Sequence, residues 1–561
     1  MSAAAAVQSA PIPRSPLAQT EFLDLATSAI AAGKNLPTLL LESCRRNGQR
    51  PLFTNMGRTI TGADLERLSG ELAGYLGVTL GLKAGERVAI MLPNLLQFPV
   101  ALLGVQRAGL VSVLINPLYT PRELKHQLAD SGAVVLIVLE NFGAVAAQAL
   151  DGTQVRSVIT TGVGDALAWP KSWITNFMVR KVKKLVPPFQ IPGAVRWPQA
   201  LSAGRGKALP DADAAADAVA QLQYTGGTTG VSKGAALDHR ALMANVSAAE
   251  QWLGKLLDPA RECGLICLPL YHIAAFTNML HAWVHGIHAI LITNPRDIPG
   301  LIGAFRQYRP SIYSGVNTLY DGLLNHPDFA QLDFSSLKLC VQGGTALRRA
   351  TAERWKTVTG KDVVEMYGLS ETSAGITANR WNAANPVGSI GLPLPGVDVS
   401  LRDEQGMEVA PGEPGELCAR GFQVTSGYWQ REDETRAAFF DGGWFRTGDI
   451  AKRGVGDYLF LLDRRKDMIL VSGFNVFPNE IEDVVSMHPG VLEAAAIGVP
   501  DDKTGESVRL FIVRKDPTLT EESVRAHCRT HLTGYKQPKS IEFRDALPKS
   551  PVGKILRREL R

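Results

Sequence analysis

YTGGTTGVSKGA, Tyr224 to Ala235, sets four glycines, three threonines, a serine and a lysine within twelve residues. Exposed backbone N–H groups, hydroxyls and one ammonium are what wraps an anion, so the stretch reads as a phosphate loop. It is not a Walker loop. With Gly230 as the second glycine of G-x-x-x-x-G-K-[ST], position 225 should be glycine and 231 lysine. The chain has Thr225 and Val231 there, and Lys233 arrives two residues late. The next residues also depart from a P-loop. Gly234-Ala235-Ala236-Leu237 is short, apolar and strand-like, and Asp238 is an N-cap candidate ahead of HRALMANVSAAEQWL. The predicted order is strand (Ala218 to Tyr224), loop, strand, helix.

Outward from the loop, strand and helix patterns alternate. Gly62 to Leu76 reads as a helix, Glu86 to Leu92 as a strand and Leu95 to Ala108 as a helix. The unbroken aliphatic run AVVLIVL, Ala133 to Leu139, is what a strand covered on both faces requires. Gly264 to Leu270, Ala289 to Thr293 and Leu337 to Gly344 continue the series, which predicts layered α/β subdomains with mostly parallel sheet. After Pro386, Gly- and Pro-rich segments with short alternating strands predict a small β-barrel-like subdomain. From Arg464 the pattern returns to mixed α+β: a helix opening at Pro478, RLFIVRK (Arg509 to Lys515) and a helix near Glu521. The expected division is a flexible tail over 1–35, a large N-terminal domain over 36–463 and a smaller C-terminal domain over 464–561.

A chain of 561 residues needs more than one core, at roughly 100–200 residues per domain. The net charge of +5 suits anionic ligands but forms no basic stripe with interleaved aromatics, which argues against nucleic acid. Six scattered cysteines fit neither a zinc site nor a CxxC pair and read as buried free thiols of a reducing, cytoplasmic setting. The Ala-rich N-terminus lacks a basic n-region and is broken by prolines, so it reads as a tail rather than a secretion signal. His281, His285 and His288 have helical spacing but no acid in frame, and packed histidines are the favoured reading.

Five further stretches carry chemistry: LPLYHIAAF (Leu268 to Phe276), EMYGLSET (Glu365 to Thr372), GGWFRTGD (Gly442 to Asp449), DRRKDMILVSGFNVFPNEIE (Asp463 to Glu482) and LPKSPVGKILRREL (Leu547 to Leu560). With YTGGTTGVSKGA, this set resembles the adenylate-forming superfamily of acyl-CoA synthetases, luciferases and peptide-synthetase adenylation domains, and within it the bacterial long-chain fatty-acid–CoA ligases. The likeness runs from about Leu36 to Arg561.

The resemblance implies ATP, Mg²⁺ and CoA, with a fatty acid as the other substrate. The carboxylate would attack the α-phosphate of ATP, giving acyl-adenylate and pyrophosphate, and the CoA thiol would then displace AMP. Lys554 matches the family's catalytic lysine, Glu371 its metal-holding acid and His272 the residue before an aromatic gate, here Phe276. Tyr224, Thr225, Gly226, Gly227, Thr228, Thr229, Gly230, Val231, Ser232, Lys233, Gly234 and Ala235 would form the β- and γ-phosphate cradle, with Thr228 sharing the metal. Ser370 would reach the α-phosphate. Tyr367, Gly368, Gly343 and Gly344 would take the adenine, Asp449 the ribose hydroxyls, and Arg464 ribose or phosphate. Lys466 falls at the hinge about which the family's mobile C-terminal domain turns, carrying Gly473 toward the thiol.

Two departures bear on specificity. Gln342 stands where relatives have a third glycine, and SAGITANRWNAAN after Glu371 is unlike the fatty-acid enzymes, so chain length stays open and a medium-chain or aryl acid is the alternative. A non-catalytic sensor on the same scaffold is disfavoured by Lys554, Glu371, Asp449 and Arg464 together. Trp169 to Phe189 pairs an apolar face (Trp173, Phe177, Ile174, Met178, Val182, Leu185) with Arg180, Lys181, Lys183 and Lys184. It predicts either an ordinary surface helix or peripheral contact with the anionic inner leaflet. Oligomeric state stays open, a homodimer among the options.

Overall fold

The computed structural model describes residues 25–207, 214–225, 232–258, 261–345, 347–472, 474–550 and 553–561. Ala133–Leu139 is a strand buried along its whole length, as its aliphatic run demands. It lies inside a seven-stranded sheet in the order Val195–Arg196, Ser157–Thr161, Ala133–Leu139, Arg87–Met91, Val111–Leu114, Val219–Thr225, Lys233–Asp238. All neighbours pair in parallel except the last, where the two strands flanking residues 226–231 form an antiparallel pair. Helix His239–Leu253 comes next in the chain, and the Asp238 carboxylate accepts from the Ala241 N–H at 2.6 Å. The predicted order of strand, loop, strand and helix is therefore the observed one.

A second sheet has nine strands, with His288–Leu291, Cys263–Ile266, Ile312–Gly315, Leu339–Gly343 and Val363–Leu369 forming a parallel run at its centre, and Val363–Leu369 pairing antiparallel with the next strand. Helices between the two sheets bury the main core. Trp283, fully buried, meets Phe53 edge-on at 5.3 Å. The strand expected over Gly264 to Leu270 stops at Ile266. Pro269 has no ladder N–H, and the Asn94 side chain replaces the ladder. It donates to the carbonyls of Ile266 (3.2 Å) and Leu268 (2.9 Å) and accepts from Leu270 N–H (2.8 Å).

Beyond Pro386 a five-stranded antiparallel sheet (Val397–Arg402, Gly415–Gly421, Trp444–Arg453, Phe439–Phe440, Leu459–Arg464) is the expected β subdomain. The C-terminal unit builds its own sheet around Val491–Asp501 and Gly505–Arg514, covered by helices Pro478–Ser486 and Glu521–His531, with a separate core of Ile469, Ile481, Val485, Leu510 and Val524.

One boundary is corrected. The span 1–35 reads as a tail in sequence, yet Leu25–Ala31 is a helix whose Ala26 and Ala29 are buried in the main core. A seven-residue helix of small residues has little stability alone. This one is held from far away: the Ala26 N–H lies 3.1 and 3.2 Å from the two carboxylate oxygens of buried Glu250.

Candidate active site

Tyr224 and Ala235 lie on the paired strands that flank residues 226–231. Tyr224 is buried, and its hydroxyl donates to Asp130 at 2.7 Å; Ala235 is fully buried. Gly234 packs against the Tyr224 ring, which an added Cβ would touch at 3.0 Å. Thr225 and Lys233 face each other in register, and Ser232 Oγ donates to the Thr225 carbonyl at 2.5 Å. The stem therefore delivers a half-buried lysine and the ends of two strands to one point. The residues between them, Gly226, Gly227, Thr228, Thr229, Gly230 and Val231, lie outside the described residues, as does Gly473.

Glu371 comes to the same place from the second sheet, in a short 3₁₀ turn, Ser370–Thr372, at the end of Val363–Leu369. Its backbone carbonyl accepts from Thr425 N–H at 2.6 Å, and Oε1 accepts from the Tyr428 hydroxyl at 2.9 Å. Burial pushes the carboxyl up, while a backbone N–H, Tyr428 and Arg464 pull it down. Burial and the charge of Glu371 hold the Tyr428 phenol well above its usual range, so Tyr428 stays a donor. Among the described residues no three His, Cys, Asp or Glu side chains converge as a metal cage. One carboxylate beside a phosphate loop fits a different case, a Mg²⁺ that keeps its waters and arrives on the phosphates.

A second group of side chains is set by strand pairing. Asp449 and Arg464 are cross-strand partners, 3.4 Å apart at the side chains, and Tyr367 donates its hydroxyl to Asp449 Oδ2 at 2.6 Å. Asp449 is thus a buried carboxylate held from both sides. Gly368 has no room for a side chain, since an added Cβ would fall 1.7 Å from the Ala374 carbonyl oxygen. Gly344 sits at φ +83°, where glycine is favoured. Gln342 is fully buried and donates its amide to the Thr345 carbonyl at 3.0 Å, bracing the Gly343–Gly344 turn.

Lys554 is brought in by the C-terminal unit. Burial and the neighbouring Arg464 push its ammonium down to about 8, against the pull of Asp449. His272, which leads into helix Ile273–His285, is held down to about 4 by burial and by Lys554. Lys554 is thus within electrostatic reach of Arg464 and Asp449, and His272 within reach of Lys554. Lys466 Nζ is buried, with no partner among the described residues. Phe276 is fully buried.

The three histidines do not converge. The His281 and His285 rings lie 4.5 Å apart, tilted at 44°, His285 Nε2 lies 3.0 Å from Glu250 Oε1, and His288 Nε2 lies 2.7 Å from Thr54 Oγ1 on another strand. Sequence reasoning missed Tyr428 and Arg557. Arg557 bonds Asp463 (3.0 Å), Asn479 (2.5 Å) and both oxygens of Glu482 (3.0 and 2.8 Å), three residues after Lys554. The first arginine in KILRREL made no separate signal.

Residues 40–429 match the family model described as AMP-binding enzyme. The chain belongs to the AMP-binding, adenylate-forming enzyme family. Residues 480–554 match the AMP-binding enzyme C-terminal domain. The chain is 50% identical over 529 residues to the long-chain-fatty-acid–CoA ligase of Escherichia coli O157:H7, covering 94% of each protein. It is 51% identical over 517 residues to that of Yersinia pestis, covering 92% of each. Among solved structures, ATP-bound MatB from Rhodopseudomonas palustris aligns with TM-score 0.79 and 28% identity over 94% of this chain and 98% of that one. The anthranilate CoA ligase AuaEII in complex with anthranoyl-AMP aligns with TM-score 0.81 and 26% identity, covering 94% and 96%.

Proposed function

We propose that the protein is a long-chain fatty-acid–CoA ligase that forms an acyl-adenylate from ATP and then the CoA thioester, releasing AMP and pyrophosphate. The observation that carries this reading is the buried Asp449 held by Tyr367 and Arg464, with Lys554 within electrostatic reach of the pair; the half-identical ligases support the acid class. A carboxylate is a weak nucleophile and a triphosphate repels it, so the first step needs fixed positive charge at the reacting atoms. Lys554 supplies that charge between carboxylate and α-phosphate, and Lys233 and the loop stem hold the pyrophosphate end. Asp449 accepts from the ribose hydroxyls, and Arg464 neutralises it and the phosphate beside it. Glu371 would hold Mg²⁺, which neutralises phosphate charge when bound. His272, kept neutral, borders the acyl entrance. For the second step the unit from Arg464 onward would turn about Lys466, withdrawing Lys554 so that the thiol enters. AMP release with CoA, measured across saturated C4 to C18 acids and benzoates, is expected to be highest for the long chains. Highest turnover with aryl acids would reject the long-chain reading.

A second reading concerns location. No helix among the described residues is long and apolar enough to cross a membrane. Yet helix Lys171–Phe177 and the π-helical turn Met178–Val182 turn their apolar side outward, with Trp169 86% and Trp173 64% exposed. Trp173 stacks on Phe177 at 5.4 Å, at the edge of a cleft of about 500 Å³. Arg180 is bonded to both oxygens of buried Glu140, so the charge offered outward belongs to Lys181, Lys183 and Lys184. We assign this patch to peripheral contact with an anionic leaflet. Changing the three lysines to glutamate should abolish co-sedimentation with phosphatidylglycerol vesicles; unchanged binding would remove the assignment.

A further inference from the structure

Tyr428 lies in the turn between strand Gly415–Gly421 and helix Glu432–Ala437, outside every motif stretch that points to the site. Two of the proposed phosphate and metal groups nevertheless meet on it. Its hydroxyl donates to Oε1 of Glu371 at 2.9 Å, and its ring faces Lys233 Nζ, 5.2 Å from the centroid. Glu371 and Lys233 come from different sheets and are 138 positions apart (371 minus 233). Tyr428 is the side chain that touches both.

The turn that carries Tyr428 is strapped to the phosphate-loop stem. Tyr428 bridges Ala235 in antiparallel fashion, Ala236 N–H donates to the Gly427 carbonyl at 2.9 Å and Trp429 N–H to the Gly234 carbonyl at 2.8 Å. Thr425 joins the other side, donating its N–H to the Glu371 carbonyl at 2.6 Å and its hydroxyl to the Ala236 carbonyl at 2.7 Å. Arg431 then reaches Asp130 at 2.6 Å, the same carboxylate that accepts from Tyr224. The phenol is therefore held by backbone on both sides, not placed by a free rotamer.

We propose that Tyr428 is a positioning residue that sets the carboxylate plane of Glu371 and the resting place of Lys233, so that the cation ligand and the phosphate ligand are pre-aligned before the metal–triphosphate arrives. The proposal rests on the ATP-dependent reading above. Its chemistry is one of preorganisation: a carboxylate with one oxygen already bonded turns less, and an ammonium parked on a ring stays at the loop's edge instead of pairing with Glu371. Direct pairing of Lys233 with Glu371 would cancel both charges the substrate needs.

The test uses the full chain with Tyr428→Phe, which keeps the ring and removes the donor, and Tyr428→Leu, which removes both. Mn²⁺–ATP affinity, read from the electron paramagnetic resonance signal of free Mn²⁺, should weaken about tenfold in Tyr428→Phe, the worth of one hydrogen bond to a charged acceptor. Tyr428→Leu should weaken it further and also raise the KM for ATP. Thioester formation from supplied acyl-adenylate, which needs neither pyrophosphate end nor cation, should match the wild type in both. Unchanged Mn²⁺–ATP affinity in Tyr428→Phe overturns the proposal. So does an equal loss in the supplied-adenylate step, because that marks a purely structural role. Equal behaviour of the Phe and Leu variants removes the Lys233 half. Failure of the wild type to release AMP with any acid would instead strike the underlying reading, and the binding measurement stays interpretable.

Discussion

The two halves of the site are held by different physics. On the side we assign to the nucleoside, Asp449 and Arg464 face each other in a β ladder, and Tyr367 closes on Asp449 from a neighbouring sheet. Their geometry is set by register, which moves only if a sheet slips. On the lysine side, Lys554 rests on a short turn, with Ser550 N–H donating to its carbonyl at 2.7 Å and the Ser550 hydroxyl accepting from its N–H at 3.1 Å. Ile555, Leu547 and Leu560 pack that segment on an apolar cluster of the C-terminal unit, and charge ties it across to the β subdomain. Arg557 bonds Asp463, on the last strand of the β subdomain, and Glu482 and Asn479 of the C-terminal unit. The groups we assign to the nucleoside are built into ladders, whereas the contact that ties the Lys554 segment to the β subdomain is ionic and can be made and unmade.

The largest break comes from the cation itself. Lys554→Ala should lower adenylate formation by about 10³-fold or more, the scale of losing a charge aimed at the transition state. Thioester formation from supplied acyl-adenylate should be largely spared. Equal loss in both half-reactions, each timed by quenched flow, would remove Lys554 from the role assigned to it.

Arg557→Ala attacks the placement instead of the charge. It leaves Asp463, which is buried, and Glu482 without their main counter-charge, a loss of about 3–5 kcal/mol for a buried pair broken on one side. Adenylate formation should fall about a hundredfold, and the melting transition of the C-terminal unit should drop, because positioning of Lys554 depends on this web. Arg557→Lys keeps charge without the fork and should recover part of both. Recovery of neither would mean that planarity, not charge, does the holding.

The ladder side should respond differently. Asp449→Asn keeps shape but removes the charge that Arg464 and Tyr367 converge on, and should weaken ATP and AMP alike by about tenfold to a hundredfold. Tyr367→Phe loses one hydrogen bond and should cost about fivefold. Because AMP is present in both half-reactions, these changes should slow both, the reverse of the Lys554→Ala pattern. A change confined to one half-reaction would contradict the assignment of Asp449 to the ribose.

That contrast also explains what was legible in the sequence. The strand Ala133–Leu139 and the Asp238 cap are readable residue by residue, because aliphatic runs and caps are local signals. The spacing of Lys233 excludes a Walker loop for the same reason. The helix Leu25–Ala31 is not readable, since its anchor, Glu250, lies 224 positions away from Ala26. Nor is the pairing of Arg557 with Asp463, 94 positions apart, or of Tyr428 with Glu371, 57 apart. Each of these residues is ordinary beside its chain neighbours, and only the fold supplies its partner. Asn94 stopping the strand at Ile266 belongs to the same class.

The smallest effect separates the two sides by pH. Burial and Arg464 disfavour the charged form of Lys554, so in the free enzyme it loses its proton through about 8 instead of near 10.5. Stability carries the same sign: the buried cation costs stability below about pH 8, and that cost fades as pH rises toward the lysine range of the unfolded chain. kcat/KM for ATP in the adenylation step reports the free enzyme and should fall above about pH 8. kcat reports the bound state, where the triphosphate's negative charge favours the ammonium, so its limb should lie at higher pH. Lys466 is also held down to about 8 by burial and Arg464 and could produce a similar limb. Lys554→Arg separates them, since a guanidinium keeps its charge throughout this range and should flatten the limb if Lys554 is its source. A limb that survives in Lys554→Arg and vanishes in Lys466→Arg would move the titration to Lys466, the residue we propose as the hinge.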